Sequence, residues 1–283
     1  MVPEETNDPD RGQHGEIPGM SDYDDHQPKP RGEFTVGDVL SRSWEILRSD
    51  TFRIAGTIWA GIALITFVLI FQAAIFDDPN RRGQPPVLAQ LLVALPGWCI
   101  IALVIAGMHL FVVNVASGRK ARFGDLSRCR KFAGTILIAD LLFGLVAGGT
   151  QWIVIFGTLI LGELIGPFAL MIGIFAGIPL LYAVYFSLSQ FQFLVVDRET
   201  KPLQSLQLSW ELMRGHRLEY LYLNLICGVI NIVGFLACGF GILITLPLQF
   251  VSFAVFYLAL TGQPVADPYG WSQRTAEKLH GQA

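Results

Sequence analysis

Charged side chains are scarce in this sequence. They make up 15% of its 283 residues, against roughly 25% in an average soluble domain, whereas apolar residues make up 52%. A chain so poor in charge cannot cover the surface of an ordinary water-soluble fold of this size. The composition therefore excludes a typical soluble domain and makes the distribution of the apolar residues the next question.

Residues that build catalytic and metal centres are also few. The four cysteines, Cys99, Cys129, Cys227 and Cys238, form no Cys-x-x-Cys pair, and only five histidines are present. The sequence has no phosphate-binding glycine loop with a lysine, no His-Glu-x-x-His and no nucleophile elbow. We therefore expect no enzyme, no cofactor, no disulfide and no metal site. We also expect no nucleic-acid binding, because membrane topology explains the one basic loop.

Long apolar runs are what the sequence does contain. Residues 54–76, 87–116, 164–196 and 220–266 carry no charged side chain, and 132–162 carries only Asp140. Each run exceeds the roughly 20 residues that cross a bilayer core, and Gly239-Phe240-Gly241 divides the last run with a turn. We predict an all-α integral membrane protein whose six transmembrane helices lie at about 54–76, 87–116, 133–161, 167–196, 219–238 and 242–262.

The two ends of the chain differ from this apolar region. Residues 1–32 hold eight acidic and three basic side chains and almost no aliphatic ones. Such a segment buries too little apolar surface to offset its ordering entropy, so we expect a disordered tail. The predicted organisation is an acidic tail at 1–32, a membrane domain at 33–265 and a short tail at 266–283.

The basic residues predict the orientation of the spans. Lysine and arginine accumulate in cytoplasmic loops, and with six spans eighteen of the twenty fall on one side. Only Arg81 and Arg82 lie on the other side. We therefore predict a protein of the cytoplasmic membrane with both tails in the cytoplasm.

A short motif occurs twice in the chain. Residues 43–48 read Ser-Trp-Glu-Ile-Leu-Arg and residues 209–214 read Ser-Trp-Glu-Leu-Met-Arg, with a weaker third copy at 123–128. Each copy precedes a pair of spans, and the second span of each pair contains one proline, Pro96, Pro179 or Pro247. We interpret this as three repeat units, 33–118, 119–200 and 201–265, each a surface helix followed by a helical hairpin. Chance similarity between short, biased segments is the alternative.

The three prolines are predicted to kink their helices. Proline lacks the N–H that an α-helix uses and its ring crowds the preceding turn. A kink acts either as a hinge or as a fixed bend. We favour the fixed bend.

The segments before the first and third hairpins are predicted to be amphipathic helices. Apolar residues recur there at intervals of three and four, and the predicted interfacial anchors are Trp44, Arg48, Trp210 and Arg214. Such helices lie on the membrane with their apolar face towards the lipid, or they pack against the cytoplasmic end of the bundle. The basic residues between Arg119 and Lys131 are predicted to contact anionic headgroups.

Polar residues inside the spans are the candidate site. An ionisable group in hydrocarbon costs at least about 2.5 kcal/mol and tends to face the protein interior. We predict a polar pocket towards the cytoplasmic leaflet formed by Asp140 and His109, with Gln190, Asn224 and Asn114 beside them. It would bind a cation, a proton or a polar headgroup. The alternative is that backbone groups or water satisfy each side chain separately.

Several of these segments carry a family resemblance. They are the Ser-Trp-Glu-x-x-Arg helix, Val195-Val196-Asp197-Arg198-Glu199, the stretch from Pro202 to Trp210, and Gly241 to Pro247. Over about residues 34–265 the chain resembles bacterial six-span membrane proteins of the YciC-like kind. It also resembles the membrane domain fused to some bacterial glycerophosphodiester phosphodiesterases. The resemblance implies a membrane fold; with no phosphodiesterase domain present, it implies no phosphodiesterase activity.

Two hypotheses for the function follow. The first is a non-catalytic scaffold that organises membrane lipid or partner proteins. The second is a transporter or permease for a small solute or a lipid, which the repeat, the prolines and Asp140 favour.

Overall fold

The structure, a computed structural model, describes residues 35–76, 87–119, 121, 124, 129–237 and 239–268. In this part of the chain the backbone forms α-helices and one 3-10 turn, and no strand. The helices are α1 (Val36–Ser49), α2 (Thr51–Phe76), α3 (Val87–Ala116), α4 (Ala133–Ile165), α5 (Pro167–Leu188), α6 (Phe191–Arg198), α7 (Pro202–Leu212), α8 (Arg217–Leu236) and α9 (Ile242–Leu260), with the 3-10 turn at Cys129–Phe132.

Six helical stretches are long and apolar enough to cross a membrane. They are Thr51–Ile75, Gln90–Ala116, Ala133–Ile165, Gly173–Arg198, Arg217–Leu236 and Ile242–Leu260. They coincide with the six runs found in the sequence, so the prediction of an all-α fold with six spans is confirmed. The chain is a multi-pass membrane protein.

The spanning helices pack as three hairpins, α2 with α3, α4 with α5, and α8 with α9. Gly166 turns the chain between α4 and α5 with φ +92°, and Pro167 starts α5. Glycine tolerates that φ, and proline is preorganised for a first helical turn. Further along α5, a Cβ on Gly173 would meet Thr158 of α4. The missing side chain therefore lets the two backbones approach closely.

Helix α1 packs on the protein rather than presenting its apolar face to lipid. Its buried residues are Val36, Val39, Ser43, Ile46 and Leu47, and its main partner is α9. Helix α7 similarly packs against α4, α5 and α6. This arrangement is the alternative in which the amphipathic helices lie against the end of the bundle. The weak third copy of the motif, at 123–128, lies outside the described residues except for Gly124.

A capping box starts α1. The Thr35 hydroxyl accepts a hydrogen bond from the Asp38 N–H at 3.2 Å, and the Thr35 N–H donates to Asp38 Oδ2 at 3.0 Å. These bonds satisfy backbone N–H groups that the helix leaves free. The hydrogen bonds from Thr35 also lower the pKa of the Asp38 carboxyl.

The two full copies of the motif share a pattern of burial. Ser43 and Ser209 are buried, as are Leu47 and Met213, whereas the two tryptophans and the two closing arginines are exposed. The matching positions therefore have matching environments, although the copies pack against different helices.

Helix α9 forms the centre of the bundle. Val251, Ala254, Val255, Phe256 and Tyr257 are buried, and the helix contacts α1, α2, α3 and α8. By contrast, α4 and α5 carry many exposed apolar side chains, such as Leu145, Ile153 and Phe175. In a membrane protein these exposed apolar faces are the surfaces for lipid.

Pro96, Pro179 and Pro247 lie inside α3, α5 and α9, which remain helical on both sides of each proline. Pro247 has no N–H for the carbonyl of Leu243, four residues earlier. The indole N–H of Trp59 on α2 donates to that carbonyl at 3.1 Å.

A different contact lies near Pro96. Gln72 of α2 donates to the carbonyls of Val93 and Ala94 at 3.1 and 3.2 Å, whereas the carbonyl that Pro96 leaves without an N–H is that of Leu92. Side chains of α2 therefore bond α3 and α9 close to two of the three prolines, and the kinks themselves stay a prediction.

Candidate functional site

An open cavity lies among α3, α4, α8 and the α5–α6 segment. Its volume is about 570 Å³, within the roughly 300–1,000 Å³ typical of small-molecule sites. We call it the Asp140 cavity. Its polar lining residues are Asp140, Tyr185, Ser189, Gln192, Tyr220 and Asn224, and its apolar ones are Trp98, Ile101, Ala102, Ile105, Phe143, Gly144, Phe186 and Phe191.

Asp140 and Gln192 are joined by a hydrogen bond within the cavity. The Gln192 amide donates from Nε2 to Asp140 Oδ1 at 2.9 Å. Asp140 lies seven residues after the start of α4 at Ala133, which is about 10 Å along the helix axis. The amide stabilises the carboxyl group at a depth where water is scarce. In the part of the chain that the structure describes, no lysine, arginine or histidine lines the cavity.

Tyr220 and Asn224 form the neighbouring wall on α8. They lie four residues apart and so share one face of the helix, and Asn224 Nδ2 donates to the Tyr220 carbonyl at 2.8 Å. The Tyr220 ring packs edge-on against Phe186 of α5, with ring centroids 5.5 Å apart. The α8 wall therefore contacts α5 at the edge of the cavity.

A break between α5 and α6 places Ser189 and Gln192 at the cavity. Ser209 of α7 fixes this break: its hydroxyl donates to the Ser187 carbonyl at 2.9 Å and accepts from the Gln190 N–H at 3.1 Å. Ser209 is completely buried. The serine of the second motif copy thus satisfies backbone groups that the interrupted helix leaves unpaired.

The structure brings Asp140 and Asn224 together, as predicted, but it does not place His109 in the cavity. Trp98, Ile101 and Ile105 line the cavity from α3, and His109 follows one turn later on the same face. That turn moves it about 6 Å further along the helix, where its ring packs edge-on against Phe193 with centroids 4.4 Å apart.

Gln190 and Asn114 also lie outside the cavity lining. The side chain of Gln190 is buried and donates to Ser189 Oγ at 3.1 Å. Asn114 lies near the end of α3, where its carbonyl accepts the Arg119 N–H at 2.8 Å. Sequence reasoning did not include Gln192 or Tyr220 in the site, although Gln192 is as polar as Gln190 and lies close to it in the chain.

The predicted interfacial anchors are exposed at one end of the bundle. Trp44 is 48% and Trp210 42% exposed, and Arg48 and Arg214 are exposed as well. The guanidinium of Arg217 lies 4.6 Å from the centre of the Trp210 ring, a cation–π distance. These positions are compatible with contact to lipid headgroups.

A second polar cluster surrounds Asp197 at the end of α6. Its side chain is 3% exposed and pairs with Arg119 at 3.1 Å. Tyr257 and Gln263 donate to its other oxygen at 3.0 and 2.7 Å. Asp197 therefore connects α6, α9, the end of α3 and the segment after α9.

Most of the predicted headgroup-binding stretch between Arg119 and Lys131 lies outside the described residues. Arg119 forms an ion pair with Asp197, and Lys131 is exposed. Lys120, Arg122 and Arg128 belong to the part that is not described, so contact with anionic lipid stays a prediction.

Within the described residues no group of three or more His, Cys, Asp or Glu side chains is placed to hold a metal ion. Comparison with protein-family models, with curated proteins and with solved structures gives no match. The resemblance to YciC-like proteins therefore stays a prediction based on the motifs.

Proposed function

We propose that this chain is a non-catalytic protein of the cytoplasmic membrane that binds membrane lipid in the Asp140 cavity. One observation carries the proposal. All fourteen residues that line the cavity belong to four of the six membrane spans. The site therefore lies at membrane depth, where lipid is the abundant solute.

The distribution of polar groups in the cavity suits a lipid. Asp140, Gln192 and Asn224 lie on the parts of their helices closer to one membrane face, about 10 Å from the helix ends. Apolar residues of α3, from Ile105 to Trp98, extend the wall towards the middle of the bilayer. A polar headgroup and the first part of an acyl chain would match these two regions.

We propose that the polar end of the cavity lies in the cytoplasmic leaflet. The excess of lysine and arginine on one side supports it, and so do the exposed Arg48 and Arg214 beside Trp44 and Trp210. A scaffold that binds lipid there would act on the composition or the local order of the inner leaflet.

Transport is the second candidate, and Asp140 favours it. A carboxyl group inside a membrane helix often marks the path of a proton or cation. If Asp140→Asn abolishes a transport or growth phenotype at an unchanged protein level, while His109→Ala outside the cavity has no effect, transport gains support. Unaltered behaviour of both variants would leave lipid binding as the proposal.

Lipid binding is tested with a photoactivatable acyl-chain probe on the purified protein in nanodiscs, with labelled peptides mapped by mass spectrometry. Gly144 lines the cavity, and a Cβ at this position would meet no atom within 4 Å, so Gly144→Leu is expected to place its side chain in the cavity. Gly148, one turn on, also has open space but does not line the cavity, which makes Gly148→Leu the matched control. We expect labelling of α3 and α8 to fall in Gly144→Leu alone. Equal labelling of both variants would contradict the proposal.

A further inference from the structure

The charge of the Asp140 cavity restricts the lipid that fits it. Asp140 is the only charged residue among the described lining residues. A phosphate placed there would lie beside a carboxylate with no basic side chain to neutralise either group, in a medium that screens charge poorly. The cavity therefore disfavours lipids that bring a phosphate into it. This includes zwitterionic lipids, because a short ethylene linker joins their ammonium group to the phosphate and brings the phosphate along with it.

The hydrogen-bonding groups of the cavity favour a hydroxyl. One oxygen of Asp140 accepts from Gln192 at 2.9 Å, and among the described residues the carboxyl forms no further hydrogen bond. A carboxylate oxygen accepts additional hydrogen bonds, and the amides of Gln192 and Asn224 each carry two N–H donors. A hydroxyl group donates to the carboxylate and accepts from an amide at the same time, which no ester or ether oxygen does.

The apolar wall adds a requirement for a hydrocarbon chain next to that hydroxyl. Ile101, Ile105 and Phe143 line the cavity beside the polar group. Phe143 is held by Tyr185 and Phe191, with ring centroids 5.7 and 5.1 Å away. This wall is a packed surface against which an acyl chain would gain van der Waals contact.

We infer that the Asp140 cavity selects an uncharged lipid with a hydroxyl headgroup, such as a diacylglycerol, over phospholipids of the same chain length. The inference rests on the proposed function, because it specifies which lipid the cavity binds. The hydroxyl would donate to Asp140 and accept from Gln192 or Asn224, while a chain lies along α3.

The test uses three probes that share one photoactivatable acyl chain and differ only in headgroup: diacylglycerol, phosphatidylethanolamine and phosphatidylglycerol. Each is incorporated at equal concentration into nanodiscs with the full-length protein. We expect diacylglycerol to label the cavity peptides about tenfold more than either phospholipid, the ratio that one hydrogen bond to a charged group supplies. Asp140→Asn should reduce this ratio several-fold, because the charged acceptor of that hydrogen bond and the repulsion of phosphate are both lost.

The control is Glu163→Gln, an exposed acid near the other end of α4, which should leave the ratio unchanged. Equal labelling by all three probes that still disappears in Gly144→Leu would overturn the headgroup inference and keep lipid binding. No labelling of cavity peptides by any probe would overturn both. Preference for either phospholipid would also overturn the headgroup inference.

Discussion

Trp59→Phe tests whether α2 stabilises α9 at the carbonyl that Pro247 leaves without a helical donor. The substitution keeps an aromatic ring and removes the indole N–H that donates to the Leu243 carbonyl at 3.1 Å. That carbonyl cannot regain its usual helical partner, because residue 247 is a proline. The variant therefore leaves one backbone acceptor without its donor inside the membrane.

The expected loss of stability has two contributions. Hydrogen bonds between membrane helices average about 0.6 kcal/mol and reach about 1.7 kcal/mol. In hydrocarbon no water is available to donate a hydrogen bond to the unpaired backbone carbonyl, which increases the loss of stability. We expect Trp59→Phe to lower the free energy of unfolding by about 1–2 kcal/mol, a factor of roughly 5–30 in the ratio of folded to unfolded protein.

The assay is reversible unfolding in mixed micelles, combined with Pro247→Ala as the second change of a double-mutant cycle. Alanine at position 247 returns an N–H to the Leu243 carbonyl, so Trp59→Phe should cost little in that background. Trp152→Phe is the control, since Trp152 is an exposed tryptophan of α4 that stacks on Phe156. An equal cost of Trp59→Phe with and without the proline would refute the reasoning.

Two further predictions concern the ends of the bundle. Asp197→Asn should lower the free energy of unfolding by about 1.5–3 kcal/mol, because Tyr257 loses a charged acceptor in a buried cluster. The control is Asp50→Asn, because the Asp50 side chain is 39% exposed, and it should change the free energy of unfolding by less than about 1 kcal/mol. Similar losses in the two variants would contradict the role of the Asp197 cluster. In a cysteine-free background, Phe240→Cys should react with an impermeant maleimide on intact cells and Arg214→Cys only after permeabilisation, whereas the reverse would refute the orientation.

The number and position of the spans could be predicted because a bilayer imposes a length on apolar runs. The end of α4 was less predictable. The predicted span ended at 161, but Gly162 continues the helix, and the chain turns only at Gly166, where the following proline starts a new one. A glycine marks a turn only where the backbone needs a positive φ, and Gly166 is where it has one.

The break between α5 and α6 could not be read from local sequence. Ser189 and Gln190 are neither glycine nor proline, and the apolar run around them continues to Val196. The interruption depends on Ser209, nineteen residues after Gln190, whose hydroxyl bonds on both sides of the gap. The apolar run is apparent in the sequence, whereas the contact with the distant serine that stabilises its interruption is not.

The depth of the site residues in the membrane was easier to predict than the direction in which their side chains point. Counting residues from the helix ends placed Asp140 and Asn224 at similar levels, and they do line one cavity. To choose between Gln190 and Gln192 one must know which face of α6 is turned towards the cavity, because residues two apart on a helix point in different directions. His109 lies on the correct face of α3 but one turn beyond the cavity, a difference set by how far the helices slide past each other.

The proline contacts bear on the choice between lipid binding and transport. A transporter that alternates its access needs an element with two arrangements of similar free energy. In α9 and α3 the carbonyls beside the prolines already have donors from α2, through Trp59 and Gln72. A change in the shape of either helix beside its proline would break those bonds in a medium that offers no replacement. Contacts of this kind favour helices of constant shape, of which α3 lines the cavity, and a Trp59→Phe variant with unchanged stability would remove this reason for preferring lipid binding.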